Sequence, residues 1–245
     1  MSVVGDEHEA MAYGAWMAAA AVEYRRLDVL LRGLGPDDWA APTDCPGWDV
    51  RAMVAHLVGA AESNASVREL LRQARLARAL GREGDLVDRM NAVQVREREG
   101  RAPADLVADL EAAGARGLRA RRRLPGPLRA VRLPFGPPLG TRPLGYLMGR
   151  IYTRDTWMHR IDIARATGAP LQLDADHDGR LVADVVAEWA VVHGAPYDLE
   201  LTGPAGGQWC RGADGERLVL DAVELVRTLA GRERGTGLLA HTVPF

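Results

Sequence analysis

The sequence predicts a mainly α protein, a helical bundle over residues 1–168 followed by a small α+β unit over residues 169–245. Three observations predict it. Apolar residues recur at helical spacing through most of the first 167 positions. Gly168 and Pro170 then supply the stop expected at the end of a helix. Beyond them a clear alternation appears, in Tyr197-Asp-Leu-Glu-Leu-Thr202, and helices followed by mixed strand and helix read as two domains.

Residues 7–34 read as one long helix, with Met11, Trp16, Ala19, Ala20, Leu27, Leu30, Leu31 and Leu34 close to helical spacing; Gly33, Gly35 and Pro36 end it. A turn follows, Pro42-Thr-Asp-Cys-Pro-Gly-Trp48, and Asp49 is a natural N-cap for the next helix. That helix shows Val50, Met53, Val54, Leu57, Val58 and Ala61, a series at i, i+3, i+4, i+7 and i+8. Helical but more charged sequence continues to about Glu99, interrupted near Gly81 and Gly84. Pro103 suits a helix first turn, and Leu106, Val107 and Leu110 carry that helix to about Arg123. Residues 124–143 hold Pro125, Pro127, Pro134, Pro137, Pro138 and Pro143, so no helix is expected there. The next helix runs over residues 144–167. In the α+β unit a helix is expected at 178–193, strands at 197–202 and 208–211 around a Gly-rich turn, and a helix at 221–230 before an apolar tail.

The composition narrows the function classes. A chain of 245 residues with 47% apolar content can bury a real core. A net charge of -2 gives no global attraction to nucleic acid or to an anionic membrane. The acidic N-terminus lacks the basic start and apolar run of a signal peptide, and no stretch approaches the roughly 18 apolar residues of a membrane span. Cys45 and Cys210 are far apart and form no CxxC pair. The expectation is a cytoplasmic protein with no membrane and no nucleic-acid partner.

The chemistry concentrates on the 144–167 helix. Placing about 100° per residue puts Leu144, Leu147, Met148, Ile151 and Tyr152 on one face, with Asp155, His159 and Asp162 in the middle of it. Arg150, Arg154 and Arg160 point elsewhere. A core-facing carboxylate and imidazole need a partner or a metal, because an unpaired buried charge is costly. The spacing leaves two readings: an internal pair in which Asp155 orients His159 at i, i+4, or two ligands that lack a third. His56 lies off the apolar stripe of its own helix, among Ala52, Gly59, Ala60 and Ser63, and alone reads as a surface histidine. Those small neighbours would also let another helix or a ligand approach. If the bundle turns that side inward, His56, Asp155 and His159 make a two-histidine, one-carboxylate set, the ligand count of an open catalytic metal site. Asp162 would then orient a ligand from behind, or cap an internal network.

These residues resemble a family. Pro42 to Gly59, containing Val-Ala-His56-Leu, is similar to the second-helix signature of the mycothiol-dependent maleylpyruvate isomerase family in the DinB-like superfamily. Arg154-Asp-Thr-Trp-Met-His-Arg-Ile-Asp162 resembles that family's second metal motif, and the segments from Leu201 to Phe245 resemble its sterol-carrier-like C-terminal domain. The resemblance implies a DinB-like four-helix bundle holding a divalent metal, usually zinc, on His56, Asp155 and His159. The family's carboxylate is a glutamate, and Asp155 is one methylene, about 1.5 Å, shorter. The resemblance further implies mycothiol as thiol cosubstrate and a small electrophilic, unsaturated metabolite as substrate, with S-transfer or cis–trans isomerisation as the reaction. A protein of another class, a non-catalytic metal-containing binder of a small ligand or partner, is the alternative.

Other features read as structure. The cluster Arg116, Arg119, Arg121, Arg122, Arg123, Arg129 and Arg132 has no aromatic interleaving and reads as a solvated helix end plus linker. Cys45, between Asp44 and Pro46, reads as a packed turn cysteine. His177 and His193 read as surface residues, His8 and His241 carry no signal, and the six tryptophans read as core packing.

Overall fold

The first helix, α1 (Tyr13–Arg32), buries Trp16, Ala20, Glu23, Leu27 and Leu31, a stripe spaced at three or four residues. In this computed structural model residues 11–81, 84–136 and 139–245 are described. His8, the expected helical residues 7–10, Pro137 and Pro138 lie outside them. A short turn at Asp37–Ala40 leads into a loop pinned by the Pro42–Asp49 bridge. The carbonyl of Trp48 accepts from Thr43 N–H at 3.0 Å and from Thr43 Oγ1 at 2.9 Å, which fixes where Trp48 sits.

Asp49 caps α2 (Val50–Ala65) by accepting from Ala52 N–H at 2.7 Å. The interruption expected near Gly81 and Gly84 separates α3 (Val67–Ala79) from α4 (Leu86–Arg96), and a further break, which the sequence reading lacked, separates α2 from α3. Ser66 takes extended backbone and its hydroxyl accepts from Glu69 N–H, which ends one helix and starts the next. Asp85 caps α4 in the same way through Asp88 N–H. Pro103 opens α5 (Pro103–Arg122).

The proline-rich stretch corrects one expectation, since it holds a short helix, α6 (Gly126–Ala130), and a hairpin of β1 (Arg132–Pro134) and β2 (Thr141–Pro143). Prolines are tolerated there because Pro127 lies in a first helical turn and Pro134 and Pro143 end a two-stranded ribbon, where no ladder N–H is needed. A single turn, α7 (Leu144–Tyr146), passes into a wider π-type turn at Leu147–Ile151 and then α8 (Tyr152–Thr167). Gly168, at φ 69°, closes α8 in the left-handed conformation.

The chain divides into two compact units, one spanning Tyr13–Leu171 and the other containing Gln172–Phe245. In the first, α1, α5, α2 and α8 pack in that cyclic order as a four-helix bundle, and α3 and α4 lie against α2. Its core joins Leu27 and Leu31, Met53, Val54, Leu57 and Val58, Leu106 and Leu110, and Ile163. Gly117 lets α5 close on α2, because a Cβ there would stand 2.9 Å from the Ala61 carbonyl oxygen.

In the second unit, α9 (Arg180–His193) precedes β3 (Tyr197–Thr202), β4 (Gly207–Arg211), β5 (Glu216–Asp221) and α10 (Ala222–Leu229). The sheet order is β4-β3-β5, with β3 antiparallel to β4 and parallel to β5. The sequence reading lacked β5, whose burial pattern does not alternate strictly. The protein is thus mostly helical with a small sheet. No helix among the described residues is long and apolar enough to cross a membrane.

Candidate metal centre

Two bundle helices bring three side chains to one point. His56 projects from α2, and Asp155 and His159 project one turn apart from α8. Asp155 Oδ1 lies 3.5 Å from His56 Nε2 and 3.3 Å from His159 Nε2. One ligand atom from each of the three residues falls within 4.8 Å of the others. His56, read alone as a surface residue, is 5% exposed, because the small residues around it face inward. The Trp48 ring covers both imidazoles, with centroids 5.1 Å from His56 and 6.2 Å from His159. Trp48 also lines a surface groove of ≈ 780 Å³ with Arg51, Ala52, Val95, Arg96 and Arg98.

Hydrogen bonding behind the histidines determines what they present. His56 Nδ1 lies 2.8 Å from Gln94 Oε1, and His159 Nδ1 lies 3.1 Å from Asp162 Oδ2. A carboxylate and an amide oxygen only accept, so each Nδ1 carries a proton, and Nε2 is the atom each ring presents to Asp155, with a lone pair whenever the ring is neutral. His56 Nε2 is buried without a hydrogen-bond partner. Two imidazole nitrogens and a carboxylate oxygen thus converge on one point, where either a proton on His159 or a cation balances the carboxylate charge. A tetrahedral zinc with ligand bonds of about 2.0–2.1 Å sets its ligands roughly 3.3–3.4 Å apart. The two Asp155 separations fit that spacing, so the shorter carboxylate still reaches both imidazoles.

The charges at the site are strongly coupled. Burial pushes the Asp155 carboxyl up, but His159 and then His56 outweigh it and hold it well below the usual carboxylate range. Burial likewise opposes protonation of His159, yet the charge of Asp155 and the hydrogen bonds His159 donates to Asp155, Asp162 and Cys45 raise its pKa well above the ordinary histidine value. Burial pushes the Tyr24 and Tyr152 phenols up; Asp155 adds to this, while Arg121 opposes it for both and a hydrogen bond with Ser63 opposes it for Tyr152.

Several residues take places the sequence did not assign. Cys45 faces the site, with Sγ 3.9 Å from Asp162 Oδ2. Arg121 is buried rather than solvated. Its guanidinium donates to the Met148 carbonyl at 2.5 Å, the Gly149 carbonyl at 3.2 Å and Thr153 Oγ1 at 2.9 Å. Those carbonyls belong to the wide turn, which disturbs the regular ladder and leaves acceptors to be filled. Arg154 and Arg160 are also buried, because α8 is enclosed on several faces and not on one. Arg160 makes a two-pronged pair with Glu23 of α1, at 2.7 and 3.1 Å. His177 and His193 are half-buried, not on the surface, and Trp48 and Trp209 are only partly buried. A glutamine on an otherwise apolar stripe, as at Gln94 beside Val93, is the sequence signal that would have found the His56 partner.

A family model and the solved structures bear on the family and the fold respectively. The model for the mycothiol maleylpyruvate isomerase N-terminal domain matches residues 20–164. Two uncharacterized proteins of Mycobacterium tuberculosis, from different strains, are each 28% identical over 213 residues, covering 81% of this chain and 77% of theirs. A crystal structure of the mycothiol-dependent maleylpyruvate isomerase shares the fold with a TM-score of 0.61, at 16% identity, over 91% of this chain and 90% of that one. A mutant of that isomerase with a histidine replaced by alanine superposes with the same score at 15% identity.

Proposed function

The chain belongs to the mycothiol maleylpyruvate isomerase family, and from that premise we propose that it is a metal-dependent thiol enzyme acting on a small unsaturated electrophile. His56, Asp155 and His159 would hold a divalent cation, zinc by the nitrogen-rich donor set, with mycothiol as the thiol cosubstrate. The observation that carries this reading is the convergence of the two Nε2 atoms on Asp155 Oδ1, each imidazole being fixed by an acceptor behind it.

A bound divalent cation lowers the pKa of a thiol it binds, so that thiolate forms near neutral pH. The chain's residues then serve that nucleophile. Asp162 and Gln94 hold the imidazole rings in the orientation and tautomer that donate a lone pair. Trp48 shields both rings from water on one side. As the thiolate sulfur adds to the activated carbon–carbon double bond, the displaced electron pair moves onto the conjugated oxygen. Rotation about the resulting single bond and expulsion of the thiolate give cis–trans isomerisation; retention of the carbon–sulfur bond with proton uptake at carbon gives S-transfer.

Purified protein is expected to bind a single zinc or cobalt ion. His159→Ala should abolish both binding and mycothiol-dependent turnover of an activated alkene, with helical circular dichroism unchanged. No affinity for zinc near neutral pH would sink the site. Stoichiometric zinc with no thiol affinity would favour the non-catalytic binder instead.

A further inference from the structure

The bundle frame is complete with four helices, yet α3 and α4 pack against it. Each sends a buried amide toward α2: Gln73 is 0% exposed and Gln94 3%. Gln94 Oε1 meets His56 Nδ1 at 2.8 Å, and Gln94 Nε2 donates to Gln73 Oε1 at 2.8 Å. Gln73 Nε2 donates to the Gly59 carbonyl at 3.0 Å and to Glu69 Oε1 at 2.9 Å.

The direction of this relay follows from its far end. A backbone carbonyl and a carboxylate have no proton to give, so Gln73 must turn its NH₂ toward them and its oxygen toward Gln94. Gln94 must then offer its NH₂ to Gln73 and its oxygen to His56. The carboxylate is itself secured, since Arg72 donates to both Glu69 oxygens at 2.6 and 2.8 Å and also grips Glu97 of the α4 C-cap. Gly59 makes the approach possible. A Cβ there would stand 2.4 Å from Gln94 Cγ and 2.6 Å from its Cβ, so any side chain at this position expels the glutamine.

We propose that Gln94 is a positioning residue that holds His56 as the Nδ1–H tautomer, with Gln73, Glu69 and Gly59 setting the direction of its amide. The consequence for metal binding rests on the proposed centre; the tautomer does not. Neutral imidazole in water favours the proton on Nε2, the atom that faces Asp155. Without the Gln94 acceptor that proton returns to Nε2 and occupies the lone pair a cation needs.

Nitrogen-15 spectra of the metal-free protein, at a pH where His56 is neutral, are expected to show His56 Nδ1 protonated and Nε2 unprotonated. Gln94→Leu should shift the proton toward Nε2 and weaken zinc binding by about 10- to 100-fold, while Gln94→Glu, which keeps the acceptor toward His56 though it loses the donor to Gln73, retains the Nδ1–H tautomer. Gly59→Ala should reproduce the Gln94→Leu tautomer shift by displacing the amide. An Nε2–H tautomer in the unaltered protein overturns the proposal, and so does Gln94→Leu with tautomer and zinc affinity unchanged. Should Gln94→Leu not fold, the unaltered protein and Gln94→Glu still decide it. If the unaltered protein binds no zinc, the metal centre fails by itself, and the His56 spectrum alone confirms or overturns the relay.

Discussion

Asp155 illustrates how little a single residue says without its neighbours. Its spacing from His159 was legible in the sequence, and so was its place on the same helix face as Asp162. The third member was harder to see, because the helical stripe of α2 places His56 to one side. That side is buried at the junction with α8 and under α4, so a one-face amphipathic reading misses it. The same assumption misplaced Arg154 and Arg160, which are enclosed although they lie off the Asp155 face. Asp162 now has a definite task, holding His159 Nδ1 at 3.1 Å. Asp162→Ala is expected to weaken zinc binding by about 10- to 100-fold without removing any of the three proposed ligands. Competition against a chelator measures this, and unchanged affinity would show that His159 needs no orientation from Asp162.

At the scale of elements, long helices with regular apolar spacing were readable, and breaks made by one side chain were not. Ser66 ends α2 by its extended backbone and starts α3 with a single hydroxyl bond, and charged surroundings hide that signal. The end of α9 shows the same economy. His193 packs on Trp189, and its Nδ1 accepts from Ala195 N–H at 3.0 Å as the chain reverses through Gly194. Protonating Nδ1 would break that bond. Burial, with His241 and Arg211 nearby, accordingly lowers the His193 pKa below its ordinary 6.5. A depressed histidine binds fewer protons folded than unfolded, so its contribution is fully present above about pH 6.5 and is lost as pH falls toward the folded value. In urea unfolding of the full chain between pH 7.5 and 5 this contribution should therefore fall with acidity, opposing the contribution of the raised His159. His193→Gln should flatten that part of the profile. An identical slope in the variant would assign the effect elsewhere.

For the whole molecule, the four-helix frame is built by contacts far apart in sequence, and α2 and α8 supply the proposed ligands from different quarters of the chain. A cation held there favours the folded bundle by mass action. Zinc at about 100 times its dissociation constant should add about 2.7 kcal/mol to unfolding of the unit that holds it. Thermal unfolding with and without zinc measures this, and an equal gain in a protein lacking His56 and His159 would place the ion elsewhere. The wide turn at Leu147–Ile151 has a consequence of another kind. Each residue of a helix advances the direction of its side chains by about 100°. The turn therefore works as a phase setting between the hairpin and the ligand-bearing end of α8. Removing Gly149 would leave every proposed ligand in the chain, with no change of charge, and yet turn Asp155 and His159 out of alignment with His56. What the site depends on there is a count of residues, and no side chain records it.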